Sequence, residues 1–201
     1  MNSRFLGSFF LICTLPCLGQ ARSKAYAGPS ALGPYELERG YTMTALFDRL
    51  KLSPVKQLSP ICFRSTDGTY MWAERMGVDV PEERKLVGRV FLSTFPNCVR
   101  NRIYDTPEAV GKWKTKEGIG LGNTKQDILR TYGKPSEDNM IKGNLYLDLI
   151  VGGFQGGNFT FRPRPDIGEE VWEYSEADTL RSAAFGLRSG IVIWVSISEN
   201  P

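Results

Sequence analysis

The residues that come nearest to catalytic chemistry are carboxylates. They fall in pairs: Glu82-Glu83, Glu169-Glu170, and Glu176 with Asp178. A glycosidase needs two such groups about 5–10 Å apart across a cleft. Any chain of this composition offers adjacent acids, so solvated surface charge is the expected role, and a carboxylate-dependent hydrolase stands as an alternative reading. Histidine is absent from all 201 residues. Its absence removes the commonest general base, the usual zinc ligand, and the Ser-His and Cys-His nucleophile pairs. No catalytic residue, cofactor or metal site is expected. A Ser-Lys pair exists at Ser23-Lys24, without the accompanying motifs of a Ser-Lys enzyme.

The best-defined local motif is Gly118-Ile-Gly-Leu-Gly-Asn-Thr124, followed by Lys-Gln-Asp-Ile-Leu-Arg-Thr-Tyr-Gly-Lys-Pro135. Glycines before a helix start can cradle phosphate, because a helix N-terminus presents free N–H groups. The order Gly122-Asn-Thr-Lys125 is wrong for a Walker loop. The polar Lys114–Glu117 stretch is not the strand that precedes a dinucleotide fingerprint. A structural turn into a capped helix is expected instead. Thr124 with Asp127 resembles a capping box, with Asn123 and Gln126 as an alternative pair. Gly133 and Pro135 end the helix.

Binding residues are easier to nominate than catalytic ones. The glycine- and proline-rich stretch 152–165 carries Phe154, Phe159, Phe161, Arg162 and Arg164. Aromatic residues and arginine are what protein interfaces prefer, so this loop is a candidate partner-binding element, with a disordered insertion as the other reading. Trp72, Trp172 and Trp194 lie in expected strands, where core packing is the default and an aromatic binding face the sharper alternative; Trp113 lies in a connector. The net charge of +3 is too weak, and too evenly spread, to point to nucleic acid.

The first residues read as an export signal. Arg4 gives a positive start, and the apolar run Phe5–Leu18 is too short to span a bilayer but long enough for a signal-peptide core. The expected leader is 1–21, ending at Gly19-Gln20-Ala21; Ala25-Tyr26-Ala27 is the later candidate site. Cys17 is preceded by Leu15-Pro16, a poor lipidation sequence, so an extracytoplasmic protein, periplasmic or secreted, is expected in preference to a lipid-anchored one. No later run is apolar enough to cross a membrane. Cys62 and Cys98 remain after such cleavage. In an oxidising compartment they invite a disulfide, with two buried thiols as the other reading.

These residues have to be positioned by short elements. Residues 22–34, rich in Ala, Gly, Ser and Pro, read as a flexible lead-in. A first α+β unit is expected over 35–104. Met43, Leu46, Phe47 and Leu50 have helical spacing; 61–65 and 69–73 form a hairpin about Asp67-Gly68; 87–95 is a third strand. Residues 105–117 form a connector with a short helix near Pro107–Trp113. A second unit over 118–201 begins with the capped helix. It then has a possible strand at Leu145–Val151, the insertion at 152–165, and strands at Glu170–Tyr174, Ala183–Leu187 and Ile191–Ser198. The expected fold class is α+β, short helices packed on antiparallel sheet, with two tandem helix-plus-three-strand units as one form of it.

The phrase Gly118–Pro135, together with Ala184-Phe-Gly-Leu-Arg-Ser-Gly-Ile-Val-Ile-Trp-Val-Ser-Ile197, resembles domains of the outer-membrane assembly lipoprotein E (SmpA/OmlA) group and the related β-lactamase-inhibitor proteins. Those domains open on a glycine–hydrophobic–glycine phrase and a short helix and close in a three-stranded antiparallel sheet. The resemblance covers mainly 118–198. It implies a non-enzymatic, extracytoplasmic, protein-binding module, or an inhibitor of a secreted enzyme, and identifies no partner.

Overall fold

Helix formation begins where a threonine hydroxyl can replace a missing helical acceptor. Two sites meet that condition in the computed structural model. It describes residues 28–37, 40–54, 60–76, 86–96, 102–135, 140–142, 168–176 and 181–199. The chain begins with a small hairpin of β1 (Ala31–Leu32) and β2 (Tyr35–Glu36). Helix α1 (Met43–Arg49) follows, its N-cap Thr42 accepting from Ala45 N–H. Strands β3 (Ile61–Ser65), β4 (Tyr70–Met76) and β5 (Leu86–Ser93) form an antiparallel meander. Next come β6 (Ile103–Thr106), a 3-10 turn at Val110–Lys112, and helix α2 (Lys125–Tyr132). Strands β7 (Met140–Lys142), β8 (Glu170–Glu176), β9 (Arg181–Arg188) and β10 (Ile191–Glu199) complete the described order.

Eight of these strands form one sheet in the order β6-β3-β4-β5-β10-β9-β8-β7. All pairings are antiparallel except β3 with β6. The α+β class and the short helices on a sheet are as the sequence indicates, but the sheet is mixed. The parallel strand β6 straddles the boundary between the first unit, read as 35–104, and the stretch 105–117 read as a connector. Its four residues are too few for a period-two pattern to register, and Cys62 sits opposite Ile103 in that pair.

Alternation along the strands divides the sheet's side chains between two faces. One face carries Phe63, Met71, Val90, Val195, Phe185 and Tyr174 and packs with Leu46, Phe47 and Ile128 of the helices. Burial of such side chains contributes about 1.5–3 kcal/mol each. The other face carries a second buried group: Cys62, Trp72, Phe91, Val171, Ile193 and Trp194.

Residues 28–34, read from sequence as flexible, are built into the fold. Leu32 and Tyr35 are buried. Gly33 N–H donates to Lys114 O at 2.9 Å, and Gly33 has φ of +59° directly against the Trp113 ring. Composition marks Gly33-Pro34 as a turn but says nothing of the two apolar residues it brings together. The short helix expected near Pro107–Trp113 is the single 3-10 turn. The possible strand at Leu145–Val151 and the loop 152–165 lie outside the described residues.

Candidate functional site: the sheet face away from the helices

The strand registers place the outer-face residues in rows running across the sheet. In one row Ile103, Cys62, Trp72, Phe91, Ser196, Ala184 and Glu173 are successive cross-strand neighbours. On one side of it lies the row Tyr70, Ser93, Trp194, Gly186 and Val171. On the other side lies a polar row, Glu74, Arg89, Ser198, Ser182 and Ser175.

Trp72, Phe91 and Trp194 form a continuous stack. Trp72 and Phe91 have centroids 5.4 Å apart with planes 10° from parallel, and Phe91 and Trp194 are 5.2 Å apart at 24°. Such pairs add about 0.5–1.5 kcal/mol each beyond area burial. A Cβ on Gly186 would fall 1.8 Å from Trp194 Nε1, so the missing side chain there is what lets the indole lie across β9. Trp72 Nε1 is buried and makes no hydrogen bond. An orphaned buried donor costs about 1–3 kcal/mol.

The polar row satisfies itself in part. Ser182 and Ser198 hydroxyls meet at 2.7 Å, and Arg89 Nη1 lies 3.7 Å from Glu74 Oε2. Glu173 is half-buried on this face. Burial pushes its carboxyl above the ordinary glutamate range, and the Arg89 charge works against that rise. Glu74 and Glu173 stand on β4 and β8 respectively, four strand spacings apart. Arg89 on β5 lies between them, paired with Glu74 and acting on the charge of Glu173.

Of the acids nominated from sequence, Glu169 and Glu170 hold structure. Glu170 accepts from Lys125 Nζ at 2.7 and 2.9 Å and from Trp172 Nε1 at 2.7 Å, and Lys125 Nζ sits 4.9 Å from the Trp172 ring centroid. Glu169 accepts from Ser189 N–H at 3.0 Å. These contacts tie the start of α2 to β8 and the β9–β10 turn. Glu82, Glu83, Asp178 and the side chain of Glu176 lie outside the described residues.

The glycine motif has no cradle to offer. Gly118 N–H donates to Thr115 O, Gly122 N–H to Val192 O, and Lys125 N–H to Gly190 O. Ile119 N–H donates to Thr115 Oγ1, Gly120 N–H to Asn123 Oδ1, and Thr124 N–H to Asp127 Oδ2. The Asp127 carboxylate thus occupies the helix N-terminus, where an anion would bind. Hydrogen bonds from Thr124 and Asn123 hold its pKa below the ordinary carboxylate range. The full capping box is Thr124 with Asp127.

Of the partner-binding residues nominated from sequence, Phe154, Phe159, Phe161, Arg162 and Arg164 all lie outside the described residues, as does Cys98. Cys62 is buried on the outer face beside Trp72. Of the tryptophans, Trp72 and Trp194 form the outer stack while Trp172 and Trp113 pack on the helix side. Sequence reasoning passed over Arg89, Glu173, Ser182, Ser196 and Ser198. For Ser196 and Ser198 the signal was present in the alternation of Val195-Ser-Ile-Ser198, which places every second residue on one face; Glu170-Val-Trp-Glu173 does not alternate in polarity. Among the described residues no group of three or more Cys, Asp or Glu could hold a metal ion, and no helix is long and apolar enough to cross a membrane. Searches of family models, characterised proteins and solved structures find nothing that matches this chain.

Proposed function

We propose that this chain is an exported, non-catalytic module that binds another protein through the sheet face turned away from its helices. The observation that carries the reading is the partly exposed polar row of Glu74, Arg89, Ser182 and Ser175 on that face, which borders a Trp72–Phe91–Trp194 layer that is itself buried. A polar, solvent-accessible row held on a rigid buried layer presents fixed hydrogen-bonding groups of the kind found in the rim of a recognition surface. Among the described residues, Glu169, Glu170, the glycine motif and the start of α2 are engaged in internal contacts. Export is inferred from the Arg4–Leu18 leader pattern, and the Cys62–Cys98 disulfide belongs to the same reading. The likeness of Gly118–Pro135 to the SmpA/OmlA and β-lactamase-inhibitor group supports a binding role of this kind.

The test has two arms. Intact-mass analysis of the protein recovered from fractionated producing cells should show a mature chain beginning at Arg22 or Gly28, two hydrogens lighter than its reduced form. A full-length cytoplasmic chain with free thiols would refute export. Photo-crosslinking from positions 89 and 173 in the native compartment should then trap a single protein species, and the charge reversal E74K/R89E should abolish that product while leaving the circular dichroism spectrum unchanged. Retention of the product in the reversed variant would remove this face from the proposal.

A further inference from the structure

We infer that Glu173 is the acceptor for a basic side chain, Lys or Arg, that the partner protein brings to the sheet face away from the helices. The inference rests on the binding role proposed for that face and names the chemistry the face selects. The strand register turns Glu173 outward, opposite Ala184 of β9. Val171 and Ser175 share its face on β8, and they pair with Gly186 and Ser182. All five neighbours have short side chains, and the Ser182 hydroxyl meets that of Ser198 at 2.7 Å. Glu173 is half-buried and, among the described residues, makes no hydrogen bond or ion pair. Its neighbours in sequence differ: Glu170 is held by Lys125 and Trp172, and Glu169 by the Ser189 N–H.

The cation whose charge reaches Glu173 is Arg89, three strands away on β5. Its Nη1 lies 3.7 Å from Glu74 on β4, the strand beyond. Arg89 therefore acts on Glu173 through space and leaves its carboxylate oxygens open to a closer donor. Burial has removed part of the carboxylate's hydration and holds its pKa above the ordinary glutamate range. A cation delivered as the interface closes compensates that loss and adds a charge-assisted hydrogen bond. A partner carboxylate would be repelled, and a hydroxyl would leave the charge uncompensated. A metal ion takes several oxygen ligands, which a single carboxylate does not supply. The free fold thus carries a cost at Glu173 that binding removes, as functional sites commonly do.

Photo-crosslinking in the native compartment tests this with the probe at position 175, which leaves the Glu173 carboxylate in place. In that background Glu173→Gln should cut the yield of the trapped species about tenfold, the effect of losing a hydrogen bond to a charged group. Glu173→Asp, which keeps the charge, should fall between the two. High salt should reduce capture by the native sequence and leave the Gln variant unaffected. The denaturant midpoint of Glu173→Gln should stay at or above that of the native chain, so the loss of capture is not a loss of fold. A probe at 173 itself removes the carboxylate and should trap the same species at lower yield than the probe at 175. Undiminished capture by Glu173→Gln would overturn the inference and leave the face as the binding surface. No product from 89, 173 or 175 would instead remove the face, and Glu173 with it.

Discussion

At the residue scale, Trp72 separates what the outer layer gains from shape and what it loses in polarity. Its ring is stacked and its Nε1 is orphaned. Trp72→Phe retains an aromatic partner for Phe91 and removes the unsatisfied donor, so it should cost less than about 1.5 kcal/mol and could be neutral. Trp72→Ala leaves a cavity and should cost about 3–5 kcal/mol. Urea titration of both variants checks this, and equal losses would mean that the indole donor is satisfied in solution. Glu173 gives a second residue-scale prediction. Because burial raises its folded pKa, the native state binds a proton there more tightly than the unfolded chain does. Stability from this group is therefore greatest in acid and falls as pH rises from the ordinary glutamate range through the folded pKa. Glu173→Gln should stabilise the protein at neutral pH and change little in acid, where the native side chain is neutral in both states. Denaturant midpoints measured across that range would show the difference converge toward low pH; a constant offset would contradict it.

The element scale shows what could be read in advance. Both helices were legible, α1 from the helical spacing of Met43, Leu46, Phe47 and Leu50 and α2 from Thr124 at its start with Gly133 and Pro135 at its end. The β3–β4 and β9–β10 hairpins were legible because Asp67-Gly68 and Ser189-Gly190 are turn residues between β-prone runs. Gly68, Ser189 and Gly190 do take positive φ. What stayed hidden depended on partners distant in sequence. The β1–β2 hairpin is fixed by Trp113 and Lys114, some eighty residues on, and β6 acquires its role only by lying parallel to β3. The outer face was legible as alternation, yet nothing local shows that β5 and β10 meet and bring Trp72 and Trp194 onto one stack. The hairpin has a sharp test. A Cβ at Gly33 would lie 2.6–2.8 Å from three atoms of the Trp113 ring, and φ there is +59°. Gly33→Ala combines backbone strain with overpacking and should cost about 2–4 kcal/mol. Gly118→Ala, also at positive φ but with open space around it, should cost only the strain, about 1 kcal/mol. Thermal melts of the pair separate the two contributions.

At the scale of the whole molecule, stability turns on how the sheet is held at its β3–β6 side. There Cys62 sits one strand from the edge, opposite Ile103, and Cys98 precedes Ile103 by only a few residues. A bond between them would close a loop of 36 residues and would fasten the parallel strand to the meander before any ladder hydrogen bond forms. Chain-entropy arguments assign such a closure about 3–4 kcal/mol. The backbone ladder of four residue pairs between β3 and β6 is short, so β6 and the 3-10 turn behind it should depend on the bond more than the β8–β10 half does. Adding reductant should therefore lower the urea midpoint by the equivalent of about 3–4 kcal/mol. It should also speed amide exchange at Ile103–Thr106 ahead of exchange at Val195–Ile197. Cys62→Ser should reproduce both effects and make the protein indifferent to reductant. If reductant changes neither midpoint nor exchange, the edge is held by its apolar contacts and by the Arg64–Asp105 pair at 2.7 Å. That pair joins two exposed side chains, and exposed pairs of this kind contribute at most about 1 kcal/mol, so the apolar packing of Phe63 and Tyr104 would have to supply the remainder.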